Sequence, residues 1–164
     1  IIATHSNAKS LCSHPRNLND EQIKALAQNG GLAGITFAGQ FLEEDWRNAC
    51  IESVYKHIDY MLNLIGNDDH IGFGSDFDGI SHPPYNIQGV QDYKPLIDYL
   101  SKYYSDETIN KITYQNVIKP SAKGTVKQTR HGLNRAFNLV LTKVNLIVVI
   151  YYYSSYLITF QEVF

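Results

Sequence analysis

Three short apolar runs, each stepping into polar residues and each followed by a helical pattern, constrain this chain more than any other feature. The runs are Ile1–Thr4, Leu32–Phe37 and His70–Ser75. Strands that alternate with helices build parallel α/β sheets, because each crossover helix must cover the face of the strands it joins. Three strands cannot close a barrel. They fit three consecutive units of a (β/α)8 barrel of the TIM type, in which chemistry sits on the loops that follow the strands. His5, the loop after Phe37 and Asp76 all fall at such carboxyl ends.

The helical segments carry their own signals. Asn19 can cap the amides of a first turn, and Asp20 and Glu21 then sit at the positive end of the helix dipole. Ile23, Leu26 and Ala27 recur at helical spacing, and Asn29-Gly30-Gly31 stops that helix. Ala38–Asp45 reads as a loop. A long amphipathic helix is expected from about Trp46 to Ile65, with Cys50, Val54, Ile58, Met61 and Ile65 on one face and Gly66 at its end. A further helix is expected over Gln91–Tyr104, and Ser105 caps a last one through about Ile118.

Charge divides the 164 residues in two. Residues 1–118 hold eight Lys/Arg against fifteen Asp/Glu, whereas residues 119–164 hold six against one. The boundary falls near Lys119-Pro120. It separates an acidic, well-punctuated segment, 1–118, from a basic and then apolar tail, 119–164. A net charge of −2 gives no reason to expect nucleic-acid binding. Two cysteines are too few for a disulfide scaffold. The first residues, Ile1-Ile2-Ala3-Thr4, are unlike a signal peptide and read as a strand already under way, so a fragment is expected. In the tail, Val144–Phe160 is seventeen residues without a charge. That is short of the roughly twenty apolar residues of a spanning helix, and its tyrosines would lie at mid-membrane rather than at an interface. Membrane attachment through this tail is therefore the alternative to a cytoplasmic location, which is the expectation. Homo-oligomerisation is open.

Three places could carry chemistry. An imidazole at a strand end, as at His5, is a rigid zinc ligand or is satisfied by a local hydrogen bond. Arg16, in His14-Pro15-Arg16-Asn17, offers a planar fork of donors to a ligand carboxylate, or it pairs with a nearby acid. Ile71-Gly72-Phe73-Gly74-Ser75-Asp76-Phe77-Asp78-Gly79 places two carboxylates in a glycine-rich strand-to-loop junction. There Asp76 can hold a cation or take a proton, or it can close an Asx-turn. His57 reads as a surface or packing residue on the long helix.

Taken together, Thr4-His5-Ser6-Asn7-Ala8, Cys12 with His14-Pro15-Arg16-Asn17-Leu18, Gly34-Ile35-Thr36-Phe37, His57-Ile58-Asp59-Tyr60 and Gly72–Gly79 resemble the membrane (renal) dipeptidase family of zinc peptidases. Gly89-Val90-Gln91-Asp92-Tyr93 and Pro95-Leu96-Ile97 extend the resemblance, which covers residues 1 to about 118. It implies a (β/α)8 metallohydrolase with two zinc ions and a dipeptide substrate. By the same resemblance His5 is a zinc ligand, Arg16 holds the substrate's terminal carboxylate, and Asp76 is the active-site acid near the substrate amine. Asp78 is given a structural role. The family's His-x-Asp pair, bridging glutamate and other zinc histidine lie amino-terminal to the resembling part, and nothing here matches them. The implied enzyme is thus a metallodipeptidase of which this chain is an inactive piece. The alternative is a non-catalytic half-barrel that packs against a partner or a missing amino-terminal half.

Overall fold

The computed structural model describes residues 1–118. Three strands form one sheet in the order β1 (Ile2–Ala3), β2 (Leu32–Ile35), β3 (Ile71–Phe73). Both pairings are parallel, with Ile2 opposite Leu32 and Gly34 opposite Gly72. Two hydrogen bonds carry the β2–β3 ladder past the formal strand ends: Gly74 N–H donates to Ile35 O and Phe37 N–H to Ser75 O. The ends of the three strands therefore lie along one rim, as the alternation predicts.

β2 is buried throughout, which is why it reads as a continuous apolar run rather than an alternating one. Its helices are α1 (Asp20–Gln28), between β1 and β2, and α3 (Ile51–Ile65), between β2 and β3. α1 begins as expected, with a reciprocal cap between Asn19 and Gln22. α3 ends at Gly66, whose φ of 80° is left-handed and suits a residue without a side chain. α4 (Tyr93–Leu100) and α5 (Asp106–Asn110) follow β3. Ile35, Phe37, Ile58, Met61, Leu96 and Ile112 are fully buried between these layers.

Several boundaries differ from the sequence expectation. α3 starts at Ile51, not at Trp46. Residues Trp46–Asn48 instead make a single 3-10 turn, held by the Asp45 carboxylate, which accepts from Arg47 N–H. Within the expected loop after β2, Gly39–Leu42 form a short helix, α2. α5 opens at Lys111–Gln115 into a wider turn, in which Asn116 N–H donates to Lys111 O. That turn aims the Asn116 side chain at the carbonyls of Asp68 and Ile71, at the start of β3. Lys111 strengthens the same seam through ion pairs to Asp68 at 2.7 Å and Asp69 at 3.3 Å.

Candidate active site

Glycines set how the strand ends meet. A Cβ on Gly34 or on Gly74 would collide with the carbonyl oxygen of Thr4. The chain leaving β1 therefore lies across the ends of both β2 and β3, an approach only glycine allows. Ser6 N–H donates to Gly34 O at 2.9 Å, and the His5 ring Nδ1 lies 2.8 Å from Gly74 O. Carbonyl oxygen only accepts, so His5 carries its proton on Nδ1. Its Nε2 lone pair is left for another partner, the arrangement common to metal-ligating histidines.

Asp76 follows two residues after Gly74. It is the one residue other than glycine with positive φ among the described residues, at φ 63° and ψ 32°. Asp tolerates this left-handed region better than most residues. Its carbonyl accepts from Gly79 N–H at 2.9 Å, and its carboxylate lies directly over the Gly79 Cα, where a side chain would collide with it. The carboxylate is half-buried and has no hydrogen-bond or ion-pair partner among the described residues.

Arg16 sits on the loop between β1 and α1. This loop folds back on itself: Lys9 N–H donates to Leu18 O, and Leu18 N–H to Asn7 O. Two buried asparagines fill it. Asn7 Nδ2 donates to Thr36 O and Phe41 O, its Oδ1 accepts from Thr36 N–H, and its own N–H donates to Asn17 Oδ1. Asn17 Nδ2 donates to Cys12 O and Phe41 O. Arg16 itself is exposed, with its guanidinium carbon 5.1 Å from the centre of the Phe41 ring. His14 stacks on the same ring at 3.9 Å. Burial, then the neighbouring Arg16 charge, holds the His14 pKa below its ordinary value.

His57 lies 1% exposed on α3, a packing residue rather than a surface one. Its Nδ1 accepts from Ala8 N–H at 3.1 Å, and its Nε2 faces Leu42 O at 3.0 Å, so the proton is on Nε2. Both ring nitrogens are used, and burial pushes its pKa down. His57 thus ties the first loop to α2. The sequence motifs contain Asn7, Asn17, Thr36 and His57 but do not by themselves reveal this role. The one available signal was a set of carboxamides and an imidazole embedded in otherwise apolar motifs.

The structure sets His5 and Asp76 after the outer strands β1 and β3, on either side of β2, with the His5 ring reaching across to Gly74 O. Arg16 lies apart from them, against Phe41, on the loop that Asn7 and Asn17 tie to α2. Among the described residues no hydrogen bond or ion pair connects any two of the three directly. His5 fits one position of a metal site. No group of three or more His, Cys, Asp or Glu side chains that could hold a metal ion occurs among the described residues.

The three strands of the parallel sheet thus lead into loops that carry an imidazole, a carboxylate and a guanidinium. The chain belongs to the membrane dipeptidase family (peptidase family M19), whose sequence model matches residues 1–134. Its named relatives include dipeptidases, and the family is one of metallopeptidases, which implies a metal cofactor. The chain is 36% identical over 121 residues to the dipeptidase aclJ of Aspergillus oryzae, covering 73% of this chain and 28% of that protein. It is 37% identical over 123 residues to an uncharacterised Klebsiella pneumoniae protein from the pqqA 5′ region, covering 73% of this chain and 45% of that one. Among solved structures, a metallopeptidase from Rhodobacter sphaeroides, liganded with a phosphinate mimic of the dipeptide L-Ala-D-Ala, superposes with a TM-score of 0.67. It is 34% identical, over 72% of this chain and 34% of that one. The chain thus spans less than half the length of these relatives.

One expectation is corrected. The cytoplasmic location does not stand, because the matching family is the membrane dipeptidase family. No helix of the described residues is long and apolar enough to cross a membrane. The apolar run Val144–Phe160 and the proposed boundary at residue 119 fall at or beyond the edge of the described residues.

Proposed function

We propose that the chain supplies the carboxyl-side portion of a two-zinc dipeptidase site, built on three units of a (β/α)8 barrel. The supporting observation is the His5 ring. Its Nδ1 is bound to Gly74 O beside the strand end that carries Asp76, leaving Nε2 as a metal donor. Zinc, when bound, supplies Lewis acidity toward the peptide carbonyl and toward water. Arg16 binds the terminal carboxylate of the dipeptide, its planar fork matching the two oxygens. Asp76, half-buried and unpaired, binds the substrate ammonium at the other end or takes a proton there. A cation and an acid at fixed separation restrict the substrate to two residues. By the family resemblance the remaining zinc ligands have no counterpart in this chain, and the chain alone is inactive.

The experiment is a hybrid enzyme in which residues 1–118 replace the matching segment of the Rhodobacter sphaeroides metallopeptidase. Dipeptide hydrolysis is expected in the hybrid and not in the 164-residue chain. In the hybrid, His5→Ala lowers bound zinc and Arg16→Ala chiefly raises KM. Asp76→Asn lowers kcat with zinc retained. Loss of zinc in Asp76→Asn with retention in His5→Ala would reverse the assignment.

A further inference from the structure

Arg16 raises a question of geometry. Its guanidinium has no hydrogen-bond or ion-pair partner among the described residues, and the side chain is exposed. A long flexible side chain held only by its backbone loses rotamer entropy when it binds a ligand, and affinity falls accordingly. The guanidinium nevertheless lies over the Phe41 ring, 5.1 Å from its centre.

That ring is itself fixed more firmly than its place in a four-residue helix would explain. Phe41 is 5% exposed. Its carbonyl accepts two hydrogen bonds, from Asn17 Nδ2 at 2.8 Å and Asn7 Nδ2 at 3.3 Å. The neighbouring carbonyls are also taken: Gln40 O by the Cys12 thiol and Leu42 O by His57. On the ring, His14 stacks at 3.9 Å with its plane 27° from parallel, and His14 Nδ1 accepts from Arg16 N–H at 3.3 Å. Imidazole and guanidinium thus share one aromatic platform, and the backbone beneath that platform is pinned to the loop that carries both.

We propose that Phe41 is the positioning residue of Arg16: its ring face holds the guanidinium ready for the carboxylate of a dipeptide. The proposal rests on the carboxylate-binding reading of Arg16 given above. The attraction is that of a cation for the negative face of an aromatic ring. The ring does not touch the substrate carboxylate. It limits the orientations the guanidinium must give up on binding.

The test is a titration of the 164-residue chain with glycyl-D-alanine, followed by nuclear magnetic resonance at the arginine Nε–H groups. In the wild-type chain the Arg16 Nε–H signal shifts saturably, and Arg16→Ala abolishes binding. Phe41→Leu, which keeps an apolar side chain but removes the ring, weakens binding about two- to fivefold, the span of an exposed cation–π contact. It also moves the free Arg16 Nε–H signal toward its random-coil position. Phe41→Tyr, which keeps the ring, restores both. The Asn7 and Asn17 side-chain amide signals stay in place throughout, because they report the Phe41 backbone rather than its ring. A second measurement needs no substitution: ring current displaces the Arg16 side-chain protons upfield in the wild-type chain. Absence of any Arg16-dependent shift with the dipeptide would sink the carboxylate reading and this proposal with it. Wild-type affinity in Phe41→Leu, or random-coil Arg16 protons in the wild-type chain, would overturn the proposal alone.

Discussion

The Nδ1 of His5 lies 2.8 Å from the carbonyl oxygen of Gly74, 69 positions later in the chain. This contact fixes both the tautomer and the tilt of the imidazole. Asparagine can imitate a Nδ1–H donor but has nothing at the position of Nε2. His5→Asn is therefore expected to keep the fold, with a urea midpoint near that of the parent, and to remove the weak zinc binding expected of the 164-residue chain. Calorimetric zinc titration of the two proteins checks this. Unchanged zinc binding in His5→Asn would exclude Nε2 as the donor.

Gly79 offers a way to move Asp76 without altering it. A methyl group at position 79 would collide with the Asp76 carboxylate, the free end of a short side chain that can turn away. In the hybrid enzyme Gly79→Ala should depress kcat in the manner of Asp76→Asn, with thermal stability close to that of the parent. A kcat equal to the parent's would mean that the present Asp76 orientation is not the one that matters.

Gly74→Ala is a different case, since the atoms in its way are backbone: Thr4 O, with Gly34 Cα and C at 3.0 Å. None can yield without spreading the strands. We expect a loss of about 3 kcal/mol or more. Gly66→Ala has open space around it and pays only for its left-handed φ, about 1 kcal/mol. Urea unfolding of the two variants should separate them clearly.

His57 makes stability depend on pH. Burial sets its folded pKa below the ordinary value of 6.5. Below 6.5 the unfolded chain then binds more protons than the folded one, so stability is full above that pH and falls as the solution is acidified. His14, lowered by burial and by Arg16, adds in the same direction. Unfolding midpoints taken at pH 7 and about pH 5 should fall for the wild-type chain. In His57→Gln the fall should be smaller. That variant also starts lower at pH 7, by about 2–4 kcal/mol, because Ala8 N–H and Leu42 O lose well-placed partners.

What the sequence made legible is what lies close along the chain. The caps at Asn19 and Ser105, the stop at Gly66 and the three apolar runs all depend on neighbours within a few residues. Alternation then places His5 and Asp76 on one rim without further information. α2 escaped because nothing local favours it: Gly39-Gln40-Phe41-Leu42 is shorter than any helix that stands alone, and it is held by residues 15 to 34 positions away. The early start assigned to α3 has a similar cause. Trp46 fits the helical pattern, but the Asp45 carboxylate diverts the chain into a tighter turn, and the Trp46 ring stacks on His82 at 4.0 Å. Asn7, Asn17 and His57 were visible as letters, and only long-range hydrogen bonding reveals that they hold the Arg16 loop.

The pinning of the three α2 carbonyls by side chains from elsewhere has a dynamic consequence. α2 contributes too few hydrogen bonds of its own to resist opening. Its survival is borrowed from Cys12, Asn7, Asn17 and His57. The first loop and α2 should therefore breathe as one cooperative unit, with amide protons at Ala8, Leu18 and Glu43 exchanging with deuterium at a common rate. Two segments some thirty residues apart would then keep a single clock, and any event that loosened one would be felt at once in the other.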